Sequence, residues 1–464
     1  MSTLSERFST IPTAIRTLAR PKSGASSNRG SSGGVEIPSL NGIRALAIIV
    51  VFFGHAGINA MPGPLFVTVF FFLSGYLITT LLRMEFEKTG AVSFRDFYLR
   101  RAFRILPVLY LVLFLAIVMC QIGIFAQKLR ASAVLAQFFF LSNYQILHGG
   151  WNGPNTGRPP GTGSLWSLAV EEWFYLIFPF IFLALCRFVP SARRKAMVLG
   201  GLCALVLAWR LILMFGLHAS FDRTYVGTDT RFDSLLFGCI LAVWQNPFLD
   251  PVPSGDSLRA RAGRLWAPVL APIGVFGMAL AYGKLTQLGP IGHLFNNVKV
   301  SGSLQYTIEG LCLIPIFVVA VRYADRSFFR AFNWRPVMFI GALSYSIYVV
   351  HEIVIAALHD HVPAGHIERG ALYVVVTLLF CWGVYRLVER PFAKLRRKLS
   401  RTGPLPTALP MPPQPEPVRD NTVEPALVMS GGTGAQSLVV VGRQSADAAD
   451  VVALTPPVGG LTEV

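Results

Sequence analysis

A chain of 464 residues that is 53% hydrophobic and only 14% charged, with 35 Phe, lies outside the composition of a water-soluble globular protein. Its formal net charge of +17 would suggest a nucleic-acid partner in a soluble chain, but the Lys and Arg residues stand in short clusters between apolar runs. That is the positive-inside pattern of a multi-pass membrane protein, so the bilayer is the expected partner and nucleic acid is not. The 6 Cys (positions 120, 186, 203, 239, 312 and 381) occur singly in apolar segments, without CxxC or metal-like spacing. They read as small packing residues, and neither a disulfide framework nor a metal site is expected.

Residues 1–38 are rich in Ser, Thr, Gly and Arg without apolar periodicity, and are expected to form a disordered cytoplasmic leader. The run Leu40 to Ala60 follows, long enough to enter a bilayer yet carrying Arg44 and His55. Eleven helical positions return to within roughly 20° of the start and span about 16 Å, so the two side chains share a face. Ionisable groups at membrane depth are costly and mark function, although Arg44 alone would serve as a snorkelling anchor. A second span is expected over Leu65 to Leu82. The segment Arg83 to Arg104 reads as a loop with six basic residues against three acidic ones, which places it, and the amino terminus, in the cytoplasm. On a helix Arg101 and Arg104 lie one turn apart, suited to an anionic phosphate ligand; a purely topogenic cluster is the plainer alternative.

A third span is expected over Ile105 to Ala126. The segment Ala131 to Leu147 is short and interrupted by Gln137, Ser142, Asn143 and Gln145. Because the cluster Arg187, Arg193, Arg194 and Lys195 must be inside, only one crossing fits between Arg104 and Ser164. The interrupted segment is therefore expected to be re-entrant or interfacial. The remaining spans alternate over Leu165–Leu185, Ala196–Leu217, Phe232–Trp244, Leu265–Tyr282, Ser303–Val321, Val337–Leu358 and Ala371–Leu387. The expected fold is thus an all-α polytopic helical bundle of about ten transmembrane helices and one re-entrant segment. It occupies residues 39–400 of the inner (plasma) membrane, with both termini cytoplasmic and a disordered tail over 401–464.

Four further stretches place polar groups at membrane depth. In Gly163-Ser-Leu-Trp-Ser-Leu-Ala-Val-Glu-Glu-Trp-Phe-Tyr-Leu176, Glu171 and Glu172 accompany Trp166 and other rings, and rings with carboxylates are how proteins grip sugars. An interfacial aromatic belt would explain the rings but not the carboxylates. In Thr228-Asp-Thr-Arg-Phe-Asp-Ser234, Arg231 is placed to pair Glu171 or to contact a substrate, with Asp233 beside it. Ser344, Tyr348 and His351 form one polar stripe at i, i+4 and i+7, which would equally serve as helix-packing glue. Val388-Glu-Arg-Pro391 closes the last span, with Pro stopping the helix.

Taken in order over roughly Pro38 to Phe392, these motifs resemble the acyltransferase 3 family of integral-membrane proteins. The resemblance rests on Arg44-x10-His55, Phe70-Phe-Phe-Leu-Ser-Gly-Tyr-Leu77, Arg101-x-x-Arg104, Ser167-Leu-Ala-Val-Glu-Glu172, Thr230-Arg-Phe-Asp-Ser-Leu-Leu236, Ser344-Tyr-Ser-Ile-Tyr348 with His351, and Val388-Glu-Arg-Pro391. It implies an acyl-CoA co-substrate, usually acetyl-CoA, offered from the cytoplasm and no permanently bound cofactor. The acceptor it implies is a hydroxyl of a sugar-containing molecule.

On that reading His55 is the general base, since imidazole titrates where such catalysis works best. Arg44 orients the donor or stabilises developing negative charge, and Glu171 occupies the carboxylate position of the family pattern. Arg101 and Arg104 meet the CoA phosphates. Glu172, Trp166, Arg231, Asp233, Tyr348 and His351 are the expected acceptor contacts. Polysaccharide-modifying members often add a hydrolase-like domain of the Gly-Asp-Ser type after the last span. The tail here lacks that motif, so the membrane domain is expected to act alone. A proton-coupled transporter or flippase, with Arg44 to His55 as a proton path, is the alternative from another class; the absence of an internal repeat counts against it.

Overall fold

The computed structural model describes residues 37, 39–58, 62–151, 156–251, 257–281, 295–325, 327–359 and 366–399. Apart from Ile37, the expected leader and tail lie outside these residues. The described residues form the helices α1 (Leu40–His55), α2 (Gly63–Thr89), α3 (Phe94–Gln121), α4 (Ala131–Phe138), α5 (Ser142–Gly149), α6 (Leu165–Phe188), α7 (Ala192–Leu211), α8 (Phe221–Val226), α9 (Thr228–Val243), α10 (Leu258–Ala281), α11 (Val298–Arg322), α12 (Arg335–Ala342), α13 (Ser344–His359), α14 (His366–Val384) and α15 (Arg390–Leu399). Among the described residues there is no strand. The protein is an all-α, multi-pass membrane bundle.

Every segment expected to cross falls on a helix, but among the described residues seven helices are long and apolar enough to do so by themselves, and eight when α12 and α13, bent by 68°, count as one span. The difference from ten lies in α1 and α9, each of 16 residues, against the roughly 20 needed to cross hydrocarbon. Large apolar side chains such as Phe114, Leu205 and Leu379 stand more than half exposed on the outer faces of the long helices, as lipid contact requires. The three fully buried cysteines, Cys203, Cys239 and Cys381, sit in the packed interior as free thiols.

One sequence expectation changes. The basic segment Arg83 to Arg104 is not a loop: α2 runs to Thr89, stopped by Gly90 at φ 72°, and α3 starts at Phe94 behind an Ser93 cap that accepts from the Asp96 N–H. Opposite charges make this continuation possible, with Arg83 bound to Glu87 one turn on and to Asp250, and Arg100 bound to Glu85. The interrupted segment 131–147 breaks into α4 and α5, eight residues each, neither able to cross. Its polar residues explain the break: Asn143 donates to the Val226 carbonyl and Thr228, and Ser142 to the Leu165 carbonyl, tying the segment into the bundle.

A close helix contact sets the frame of the site. A Cβ on Gly75 of α2 would lie 2.0 Å from the Leu235 carbonyl of α9, and one on Gly238 of α9 would lie 2.0 Å from the Phe72 carbonyl. Only glycine lets two backbones approach this closely. Gly75→Ala is therefore expected to force the helices apart and cost about 1–3 kcal/mol or more. A lower Tm of the detergent-purified variant checks this, and an unchanged Tm would mean that the contact yields freely.

Candidate active site

Two helices bring cationic side chains to one cavity. Arg44 comes from the first turns of α1, and Arg101 and Arg104 from α3. Together with Phe70 and Ser74 of α2, Glu171 and Tyr175 of α6, and Ser344, Tyr345 and Tyr348 of α13, they line a space of about 710 Å³, counting its open mouth. Arg101 lies over the Tyr175 ring at 4.6 Å. Unlike Arg83 and Arg100, Arg101 and Arg104 form no ion pair among the described residues. Glu171 is held as an acceptor: Ser74 Oγ donates to Oε1 at 2.8 Å and Tyr175 Oη to Oε2 at 3.2 Å. The cavity wall thus carries three guanidinium groups against one carboxylate, an environment that favours a polyanionic guest.

His55 lies at the opposite end of α1. It is the last helical residue, with its side chain 43% exposed, and it does not line the cavity. His55 Nδ1 is 2.8 Å from Nε2 of the fully buried His351, and the two rings stack with centroids 5.0 Å apart. His351 Nδ1 lies 2.7 Å from the Tyr348 carbonyl and 3.1 Å from that of Ile347. Carbonyls only accept, so the network assigns the His351 proton to Nδ1 and leaves Nε2 as an acceptor. His55 then donates from Nδ1, and the neutral ring keeps its lone pair on Nε2. That nitrogen faces Glu352 Oε1 at 3.5 Å, while Glu352 Oε2 accepts the Ser164 N–H at 2.8 Å. The arrangement sets an imidazole between a second, backbone-anchored imidazole and a carboxylate.

Tyr348 belongs to both regions. It lines the cavity and packs against His351, with centroids 5.8 Å apart. Its hydroxyl donates to the Ser164 carbonyl at 2.9 Å and lies 2.5 Å from Ser167 Oγ. The loop 156–164 closes over this end, and Gly161 at φ 72° packs so near the Ile353 backbone that a Cβ would lie 2.5 Å from it. Arg158 in the same loop is buried, donating to Gln145 Oε1 and the Gly150 carbonyl. Burial pushes its pKa down, and the Glu352 carboxylate acts in the opposite direction.

Other residues singled out by sequence lie elsewhere. Arg231 does not pair Glu171: it is fully buried, donates to Thr68 Oγ1 at 2.9 Å and lies 3.8 Å above the Tyr306 ring. Asp233 is fully buried in a bidentate pair with Arg210 at 2.6 and 2.8 Å, a partner that the sequence reading did not name. Trp166 is buried against Phe71, Trp151 and Tyr225. Glu172 lies outside the cavity wall, with Oε1 lacking a hydrogen-bond partner among the described residues. Glu352, Arg158, Ser74 and Tyr175 are site neighbours missed in the sequence. A carboxylate adjoining a histidine in an apolar run was the available signal for Glu352, and the i, i+4 spacing from Glu171 was that for Tyr175.

Comparison with known proteins gives this geometry a context. The family model of the acyltransferase 3 family, described as an acyltransferase domain, matches residues 37–386. The chain is 31% identical over 367 residues to a protein named peptidoglycan O-acetyltransferase OatA from Listeria monocytogenes serovar 1/2a, covering 77% of this chain and 56% of that one. An O-acetyltransferase OatA of Staphylococcus aureus strain NCTC 8325 is 30% identical over 367 residues, covering 77% and 57%. A putative O-acetyltransferase of S. aureus strain COL is 29% identical over 369 residues with the same coverage. The chain spans little more than half the length of these relatives. No solved structure matches it. The family match covers most of the chain, including both the arginine-lined cavity and the histidine pair, and the chain belongs to the acyltransferase 3 family of membrane acyltransferases.

Proposed function

We propose that this protein is a membrane O-acyltransferase that moves an acyl group, acetyl by preference, from acyl-CoA to a hydroxyl of a sugar-containing acceptor. The observation that carries the reading is that Arg44, Arg101 and Arg104 converge on one cavity whose wall includes Tyr348, the ring packed against the His351–His55 pair. Anionic phosphates of the donor have their partners at one end of this path, and a base stands at the other. The basic clusters that flank the spans support a cytoplasmic position for the arginine end, in the inner membrane with both termini inside. The names of the relatives support a glycan or a related sugar as acceptor.

In the step itself the acceptor hydroxyl gives its proton to His55 Nε2 as its oxygen attacks the thioester carbonyl carbon. The C–O bond forms and the C–S bond breaks. CoA leaves as thiolate and takes up the proton that His55 carried. Glu352 stabilises the transient imidazolium, and His351 holds the ring in the correct tautomer. Arg44 stabilises negative charge on the donor, with Glu171 holding Tyr175 beneath Arg101.

Binding of a non-hydrolysable acetyl-CoA analogue to the detergent-purified protein tests the reading. Wild type is expected to bind, and Arg101→Ala with Arg104→Ala to weaken binding by about 3–6 kcal/mol, from two charge-assisted contacts worth about 1.5–3 each. Equal affinity in both would return the arginine pair to a purely topogenic role. No binding by folded wild type would remove acyl-CoA as the donor.

A further inference from the structure

Two of the three groups around His55 are set as metal ligands are set. His351 ties Nδ1 to backbone carbonyls and presents only Nε2, and Glu352 ties Oε2 to the Ser164 N–H and presents Oε1. Such outer hydrogen bonds fix the orientation of ligating imidazoles and carboxylates. One ligand atom from each of His55, His351 and Glu352 lies within 4.8 Å of the others. Two imidazoles and a carboxylate with a fourth position open is a three-ligand set that zinc accepts, and here the open side is the solvent-facing edge of His55.

The present spacing is that of a hydrogen bond. Two ligands of a tetrahedral ion with bonds of about 2.0–2.1 Å stand about 3.3 Å apart, whereas His55 Nδ1 and His351 Nε2 are at 2.8 Å. A movement of about half an ångström closes that gap. His55 can make it, being the last residue of α1 and followed by Gly57 at φ 87° with room around its Cα. The adjacent cation, Arg158, donates from Nη1 to Gln145 Oε1 and the Gly150 carbonyl and forms no ion pair with Glu352 among the described residues.

We propose that His55, His351 and Glu352 form a site for a divalent transition-metal ion of the zinc class, entered from the exposed edge of His55. An ion held through His55 Nδ1 displaces the proton from that nitrogen and leaves the neutral ring protonated at Nε2, the nitrogen that would take the acceptor's proton, so occupation blocks transfer; this consequence rests on His55 being the base, whereas the site itself does not. The site thus makes the enzyme sensitive to free zinc at its exposed face.

Cobalt(II) titrated into the full-length, chelator-treated protein in detergent tests the site, because three protein ligands and one water give the intense visible bands of tetrahedral cobalt. The expected result is one equivalent bound, bands bleached by added Zn²⁺, and loss of the bands in His55→Ala, a change at an exposed position that leaves the core untouched. His351→Gln is expected to lose them as well. Wild type without tetrahedral bands, or a His55→Ala variant that keeps them, overturns the proposal. The spectrum needs no turnover, so its failure is separate from failure of the base assignment, which is read from metal-free activity. With the site present, Zn²⁺ should abolish transfer by wild type and chelator should restore it; full turnover by zinc-loaded protein would overturn the inhibitory role.

Discussion

His55→Ala lowers acyl transfer by about 100- to 10,000-fold, the range that a positioned general base supplies, while the protein still inserts and folds. The two halves of this expectation come from one fact: His55 sits at the exposed end of α1, outside the packed core. Removing it deletes the proposed proton acceptor and the hydrogen bond to His351 Nε2, while the two carbonyl contacts at His351 Nδ1 remain. Turnover measured with acetyl-CoA and a glycan acceptor, beside the Tm of the same preparation, separates the halves. Near-normal turnover would reduce His55 to a packing residue and leave Arg44-x10-His55 without a chemical role at its second position.

Asp233→Ala is expected to be the most damaging single change to folding, at about 3–5 kcal/mol. Arg210 of α7 is fully buried and spends its guanidinium on Asp233, on the Thr230 and Ser303 carbonyls and on Thr307. Without the carboxylate a positive charge remains in the bundle interior with no counter-charge, which costs more than the pair was worth. The variant should give little monodisperse protein in detergent, and a double change, Arg210→Met with Asp233→Leu, should recover much of it. Should Asp233→Ala instead fold like wild type and lose only activity, Asp233 would belong to acceptor binding, as its sequence context suggests.

These two residues also show how far the sequence reaches. Spans were legible because twenty-residue apolar runs have few alternatives, and Ala131 to Leu147 was legible as an exception because four polar residues interrupt it. The arginines of the cavity were legible too: Arg101 and Arg104 share a face through helical spacing alone, and Glu171 projects from α6 towards them. What one chain cannot give is the rotation of each helix about its axis. Arg231 and Asp233 face α2, α7 and α11, because the Gly75 to Leu235 contact fixes how α9 is turned. Partners from distant segments, such as Ser74 for Glu171 or Glu352 for His55, depend on that rotation. The continuous helices through 83–104 were missed because charge density reads as loop, whereas Arg83 with Glu87 and Arg100 with Glu85 neutralise it pairwise.

The position of His55 at the rim of the bundle bears on what an acceptor must look like. A base buried in the interior would admit only chain ends or free small molecules, since a polymer would have to thread into the protein to reach it. With His55 as the proposed base, ending its helix in the open, a hydroxyl anywhere along a strand can be met, so the length of the acceptor and the position of the modified unit within it would be unrestricted by the enzyme's own walls.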